Sequence, residues 1–296
     1  MTINLSTGLF YDRAASAMQV LTGQADRINQ QITAQSNILA PSDNNVAWTR
    51  LQSLSRGDAD GDAYAANVKL AQSVLQQADT GLGNIGDQLN QASTLVVQAN
   101  SGTLPANGKA AIAGQLSNIL QSIIAAANAT DARGGPLFGG ASDATAVTQN
   151  SDGSLSFAAG NAAAIPIGDG QTVQPSDNAS RFLKTGTSDI GAALTAIIAA
   201  LNSGTTIPAA ATDTLKDVSD QVTVTQASIG ARAARVDIQS TQLTAQATDR
   251  ATDRAATDGF DLATSYADLQ KTMTVLSATQ ASFSKLSSMS LFDYLK

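Results

Sequence analysis

The sequence predicts a mainly α protein, an elongated coiled-coil or helical-bundle rod built from both termini, with a small β-rich inserted domain. Three observations predict it. Apolar residues recur at alternating steps of three and four along both ends of the chain. That spacing disappears between about Asp131 and Ser188, where Gly and Pro become frequent and short alternating runs take over. The 296-residue chain is rich in Ala, Ser, Thr, Gln and Asn, with only 4% aromatic and 14% charged residues. Its helices therefore carry narrow apolar stripes that need partner helices.

The first element follows from Ala14, Met18, Leu21, Ala25, Ile28, Ile32, Gln35 and Leu39, a heptad seam with one polar member. The spacing predicts a helix that ends at Ala40-Pro41-Ser42, because Pro41 disfavours the helical region for the residue before it. Trp48 is the single tryptophan and reads as a packing anchor after this turn. Asp58-Ala59-Asp60-Gly61-Asp62 resembles the start of a calcium loop, but Ala63 and Lys69 stand where such a loop needs Gly and a bidentate acid. It reads as a solvated loop at a helix start. A second seam runs Tyr64, Val68, Ala71, Leu75, Ala78, Leu82, Ile85, Leu89, Ala92, Val96 and Ala99, a rod of roughly 54 Å. A third runs Ile112, Leu116, Ile119, Ile123 and Ala126.

In the insert, Leu155-Ser156-Phe157 after Asp152-Gly153 reads as one hairpin arm. Ala164 to Ile167, Gly168-Asp169-Gly170 and Gln171 to Val173 read as a second hairpin. A lone helix follows from Ile190 to Leu201. Helical spacing returns at Leu215, Val218, Val222, Thr225, Ile229, Ala233 and Val236. Gly259 interrupts it, and Asp261 is placed to cap the last helix. The last seam reads Leu262, Tyr266, Leu269, Met273, Leu276, Gln280, Phe283 and Leu286. The pattern sets the two terminal helices side by side. So small an apolar content predicts that they are mobile alone and order on assembly.

Composition removes much chemistry. There is no Cys, no His and no Glu, so disulfides, thiolate or imidazole metal sites and His-activated nucleophiles are excluded. A net charge of -7 with scattered Lys and Arg argues against nucleic acid and anionic membranes as partners. No unbroken apolar run reaches the roughly 18 residues of a membrane span. The start lacks the basic and apolar regions of a Sec signal, so none is expected.

Short motifs carry chemistry only in the structural context they require. Ser282-Phe283-Ser284-Lys285, two Ser-Asp-Asn triplets at Ser42 and Ser176, and Lys184-Thr185-Gly186 together match the set of penicillin-recognising serine enzymes. In those enzymes the SxxK element comes first and the KTG element lies on a facing strand, whereas here SxxK comes last, inside a heptad helix. A serine hydrolase is therefore the disfavoured alternative, and no catalytic, cofactor or metal residue is expected. Asp249, Arg250, Asp253 and Arg254 in the tandem ATDR-ATDR read as a solvated charged face or as an inter-subunit contact.

Five segments carry a family resemblance. Ile3-Asn4-Leu5-Ser6-Thr7-Gly8-Leu9-Phe10-Tyr11 is similar to an IST-G-x-F/Y-x opening, and Ala40-Pro41-Ser42-Asp43-Asn44-Asn45-Val46-Ala47 to a PSDDPVAA turn. Gly135-Pro136-Leu137-Phe138-Gly139-Gly140 is similar to GYLFGG, Ile229-Gly230-Ala231-Arg232 to IGAR, and Ser290-Leu291-Phe292-Asp293-Tyr294-Leu295 to SLLDYL. In this order they resemble the flagellin superfamily, and within it the hook-associated members. The resemblance implies an inner terminal coiled-coil domain at 1–42 and 258–296, a helical rod domain at 43–130 and 190–257, and a variable outer domain at 131–189. It implies a structural subunit of the bacterial flagellum at the junction of hook and filament, with flagellin or a minor flagellin as the alternative. The implied partners are copies of itself, the hook-side junction protein, flagellin, and an export chaperone at the C-terminal segment. The implied place is outside the cell, reached without a cleaved signal peptide. On this reading Leu21, Ile28, Ile32 and Leu39 opposite Leu262, Leu269, Met273, Leu276 and Phe283 form the assembly interface, and they also fit an intramolecular coiled coil. Leu286, Leu291, Phe292 and Leu295 fit inter-subunit or chaperone contacts, because a chain end has little fold of its own to pack on.

Overall fold

The computed structural model describes residues 2–101, 104–131, 134–141 and 145–292, with the backbone alone at 2–8, 10 and 286–292. Among these residues the order is α1 (Thr2–Ala34), α2 (Asn45–Ala99), α3 (Ala106–Ala127), β1 (Val147–Gln149), β2 (Leu155–Phe157), β3 (Ile165–Gly168) and β4 (Gln171–Val173). There follow α4 (Ser180–Leu183), β5 (Lys184–Thr185), β6 (Ser188–Asp189), α5 (Ile190–Ser203), α6 (Ala209–Asp258) and α7 (Leu262–Phe292). The fold is mainly α with a minor β part, as the periodicity requires. The chain divides into two compact units, Met1–Ala59 with Gln246–Lys296, and Asp60–Ala245.

The larger unit, Asp60–Ala245, holds the apolar core. The α2 seam from Val68 to Ala99 is buried at every heptad position. It shares one core with Ile112, Leu116, Leu120 and Ile123 of α3, Ile190, Leu194 and Ile197 of α5, and Leu215, Val218, Val222, Ile229, Val236 and Leu243 of α6. By length and mean hydropathy (1.3) α3 would also pass as a membrane-crossing helix. It does so despite having no unbroken apolar run, because its Ala and Ile outweigh its Gln, Ser and Asn. In this fold its apolar residues pack against α5. Asp189 caps α5 by accepting from the Ala192 N–H at 3.0 Å, and the same oxygen takes the Leu155 N–H at 3.2 Å.

The strands form three antiparallel pairs, β1 with β2, β3 with β4, and β5 with β6. Val147 lies opposite Phe157 and Gln149 opposite Leu155. Ile165 lies opposite Val173, with a register shift between Pro166 and Gly168. Both expected hairpins are present. Gly153 takes φ 87° in the first turn and lies so close to α5 that an added Cβ would come within 2.3 Å of Thr195 Oγ1.

Two boundaries differ from the sequence reading. α1 ends at Ala34, short of Leu39, in a Schellman closure: the Ser36 N–H reaches the Gln31 carbonyl at 3.1 Å and the Gln35 N–H reaches Ile32 at 3.3 Å. Gln35 sits at φ 52°, so it is the left-handed stop of the helix and not a seam residue. Leu39 lies in the following loop. At the other boundary, α2 starts at Asn45, where Asn44 Oδ1 accepts the Ala47 N–H at 3.1 Å, and it runs unbroken through Asp58–Asp62. The loop reading of that acidic stretch is overturned. Arg250 and Arg254 neutralise Asp58, so the helix needs no break there.

Candidate assembly interface

In the unit Met1–Ala59 with Gln246–Lys296, α1 packs along α7. The inward residues of α1 are Tyr11, Ala14, Met18, Leu21, Ala25, Ile28 and Ile32, at steps of three and four throughout. Ala25 and Ile28 are buried, and Leu21 and Ile32 are half-buried. On α7 the inward residues are Ser265, Leu269, Thr272, Leu276, Thr279 and Phe283. The Tyr11 and Phe283 rings meet edge to face at 5.4 Å and 88°.

The α7 face is therefore a correction. Leu269, Leu276 and Phe283 point inward as the seam requires, but Leu262, Tyr266 and Met273 are about half exposed at 52%, 56% and 49%. Gln280 is exposed as well. Thr272, Thr279 and Ser265 take the intervening positions. The reason lies in their hydroxyls. Thr272 Oγ1 donates to the Asp268 carbonyl and Thr279 Oγ1 to the Val275 carbonyl, both at 2.8 Å. With the hydroxyl satisfied inside the helix, the methyl group is free for the seam. Leu286, Leu291 and Phe292 lie on the backbone of α7 with side chains outside the described residues, and Leu295 lies outside them altogether.

Polar contacts fasten the rest of this unit. Asp43 Oδ2 accepts the N–H groups of Leu39 at 2.9 Å and Ala40 at 3.1 Å, and Oδ1 meets Arg27 at 2.6 Å. Those N–H donors, with the Arg27 charge, hold its carboxyl below the usual range. Asp258 Oδ1 takes the Asn37 N–H at 2.8 Å and Ser36 Oγ at 3.1 Å, joining the α1–α2 loop to the end of α6. Gly259 then turns the chain at φ 61°. Asp261 accepts the Ala263 N–H at 3.1 Å and Thr264 Oγ1 at 2.6 Å, the expected cap of α7, and these bonds lower its pKa. The ATDR-ATDR stretch is used within the chain: Arg250 Nε meets Asp58 at 2.7 Å, Arg254 meets the same carboxylate, and Arg50 meets Asp253 at 2.7 Å.

In the other unit the motif residues do structural work. Phe138 of the Gly135–Gly140 segment is fully buried against Phe182, with rings 5.1 Å apart. Gly81 of α2 makes room for it, since a Cβ there would lie 3.0 Å from the ring. Arg232, ending Ile229–Arg232 on α6, donates to Asp177 at 2.6 Å, to the Gln174 carbonyl at 3.2 Å and to Ser228 Oγ at 3.1 Å. Asp177 is 4% exposed at its side chain and also pairs with Arg181 at 3.1 Å. The triplet Ser176-Asp177-Asn178 is thus a buried clasp on α6. Its Asn178 amide donates to the carbonyls of Ala158 and Gly160. Ser282 and Lys285 lie in one unit and Lys184-Thr185-Gly186 in the other.

The fold defines a class of mainly α chains whose two terminal helices pair along one narrow seam. Comparison with known proteins shows what this chain is similar to. The family described as the bacterial flagellin N-terminal helical region matches residues 14–143. Flagellar hook-associated protein 3 of Salmonella typhimurium (strain LT2) is 24% identical over 138 residues, 47% of this chain and 44% of that protein. Its namesake in Escherichia coli (strain K12) is 24% identical over 151 residues, 49% of this chain and 45% of that protein. The chain thus spans about half the length of the curated relatives it matches. A solved structure from Vibrio parahaemolyticus, assigned provisionally as a flagellar hook-associated protein, shares the fold. Its TM-score is 0.68 at 20% identity, over 73% of this chain and all of that one. The chain is thus similar to the flagellin N-terminal helical region over residues 14–143, and over about half its length to two hook-associated proteins.

Proposed function

We propose that the chain is a structural subunit of the bacterial flagellum that forms the junction between hook and filament, adapting one to the other. The observation that carries this reading is the match to two proteins named flagellar hook-associated protein 3. The terminal pair supports a role in assembly. Its inner seam is closed within the chain, while Leu262, Tyr266 and Met273 of α7 stay exposed for another surface. Burying one such side chain fully contributes about 1.5–3 kcal/mol, so a row repeated over neighbouring subunits favours a lattice. The partners are copies of this chain, a hook-side junction protein and flagellin, with an export chaperone at the C-terminal segment. The place of action is outside the cell, and the role is mechanical and not catalytic.

Immunogold electron microscopy of intact flagella, with antibody to residues 131–189, tests the proposal. One label spot at the hook–filament boundary is the expected result. Label along the whole filament would identify a filament-forming flagellin, and flagella without label would remove the flagellar role.

A further inference from the structure

We infer that the α2–α6 pairing beside the terminal arm is a salt-sensitive ionic clasp centred on Asp58, able to open while the apolar core elsewhere stays closed. The inference is independent of the flagellar reading.

Three observations carry it. First, the apolar core stops at Val68 on α2 and at Leu243 on α6. Beyond Leu243 no residue of α6 is buried, and on α2 before Ala59 only Ala47 and Leu54 are. Second, charges take over where the core stops. Asp58 is shared by Arg250 and Arg254, four residues apart on one face of α6, and Arg50, about two turns before Asp58 on α2, pairs with Asp253. The tandem ATDR-ATDR supplies these α6 residues, and each arginine arrives one helical turn after the last. Third, the backbone is shaped for the clasp. Gly57 sits inside α2, where Gly is unfavourable, and a Cβ there would lie 3.2 Å from Arg250 Cδ. The missing side chain lets the Arg250 stem lie against α2 and reach Asp58.

Physics then separates the two parts of the molecule. The Debye length falls from about 10 Å at 0.1 M salt to about 3 Å at 1 M, so half-exposed pairs weaken as salt rises. Apolar burial does not weaken in the same way.

Hydrogen exchange read by mass spectrometry on the full chain tests the clasp. Between 0.05 M and 1 M NaCl, peptides covering 45–59 and 246–258 exchange about two- to fivefold faster, while peptides covering 68–99 and 211–243 are unchanged. Asp58→Asn raises exchange in the same two segments at low salt and reduces their salt dependence to what the Arg50–Asp253 pair leaves. Asp58→Arg combined with Arg250→Asp and Arg254→Asp restores the low-salt protection, which a packing role would not allow. Wild-type exchange in 45–59 and 246–258 that is independent of salt would overturn the inference, and that measurement needs no variant to fold.

Discussion

Replacing Arg232 by Met tests whether the Ile229–Arg232 motif anchors the insert. The Asp177 carboxylate is 4% exposed, and the Arg232 side chain that meets it at 2.6 Å is 20% exposed. Removing Arg232 strips one carboxylate oxygen, the Gln174 carbonyl and Ser228 Oγ of a donor at once. Breaking a buried pair from one side costs about 3–5 kcal/mol. Here Arg181 stays, 58% exposed and screened by water, so the expected cost is about 2–3 kcal/mol. For a unit of this size that lowers the melting temperature by roughly 5–10 °C. Circular-dichroism melts and urea titration of Arg232→Met, Asp177→Asn and the double variant measure the coupling, expected at about 1–3 kcal/mol. Arg50→Gln is the control: that pair is 56% and 52% exposed and is worth below about 0.5 kcal/mol. Equal losses for Arg232→Met and Arg50→Gln, with no coupling to Asp177, would refute the reasoning.

Three further outcomes are expected. Leu276→Asp, at an inward position of α7, leaves the melting of the Asp60–Ala245 unit unchanged but blocks incorporation into flagella in a complementation assay; normal flagella would sink it. Asp43 and Asp58 have pKa values lowered from 3.8, by the Leu39 and Ala40 N–H groups for the first and by Arg250 and Arg254 for the second. Depressed folded-state values mean that their stabilisation is present above the ordinary carboxylate range and is lost as pH falls through the lower folded value. Trp48 emission should therefore hold from pH 7 to 5 and shift to the red only below about pH 4, and a shift complete by pH 6 would contradict this. Finally, Gly153→Ala and Gly170→Ala share a positive φ, but only Gly153 has Thr195 in the way. Urea titration should give about 1–2 kcal/mol for Gly170→Ala and clearly more for Gly153→Ala, and equal costs would discount the contact.

Several elements are legible in the sequence alone. The α2 seam is the clearest, since every heptad position from Val68 to Ala99 is buried. The two hairpins were readable from Asp152-Gly153 and Gly168-Asp169-Gly170, because few residues other than Gly relieve a left-handed turn. The Asp261 cap was readable for a similar local reason. The α7 face was harder. Its large apolar and aromatic residues mark one stripe and its threonines another, and Tyr266 and Met273 have more apolar surface to bury than Thr272 and Thr279. A Thr that bonds its own i−4 carbonyl can be buried, as Thr214 and Thr225 are on α6, but exposed Thr274 makes the same bond, so only the packing against α1 selects the stripe.

The sequence by itself determined the class of structure: helical seams at both ends, a turn-rich insert between them, no thiol or imidazole chemistry, and five ordered segments like those of flagellins. These are local or periodic properties, and a chain carries them without folding. Only the tertiary structure decided which stripe of α7 faces α1, that Asp58 is a shared counter-ion and no part of a loop, and that Arg232 closes on Asp177 across 55 residues. Each of these depends on which distant group arrives. Neither spacing nor composition specifies that arrival; packing does.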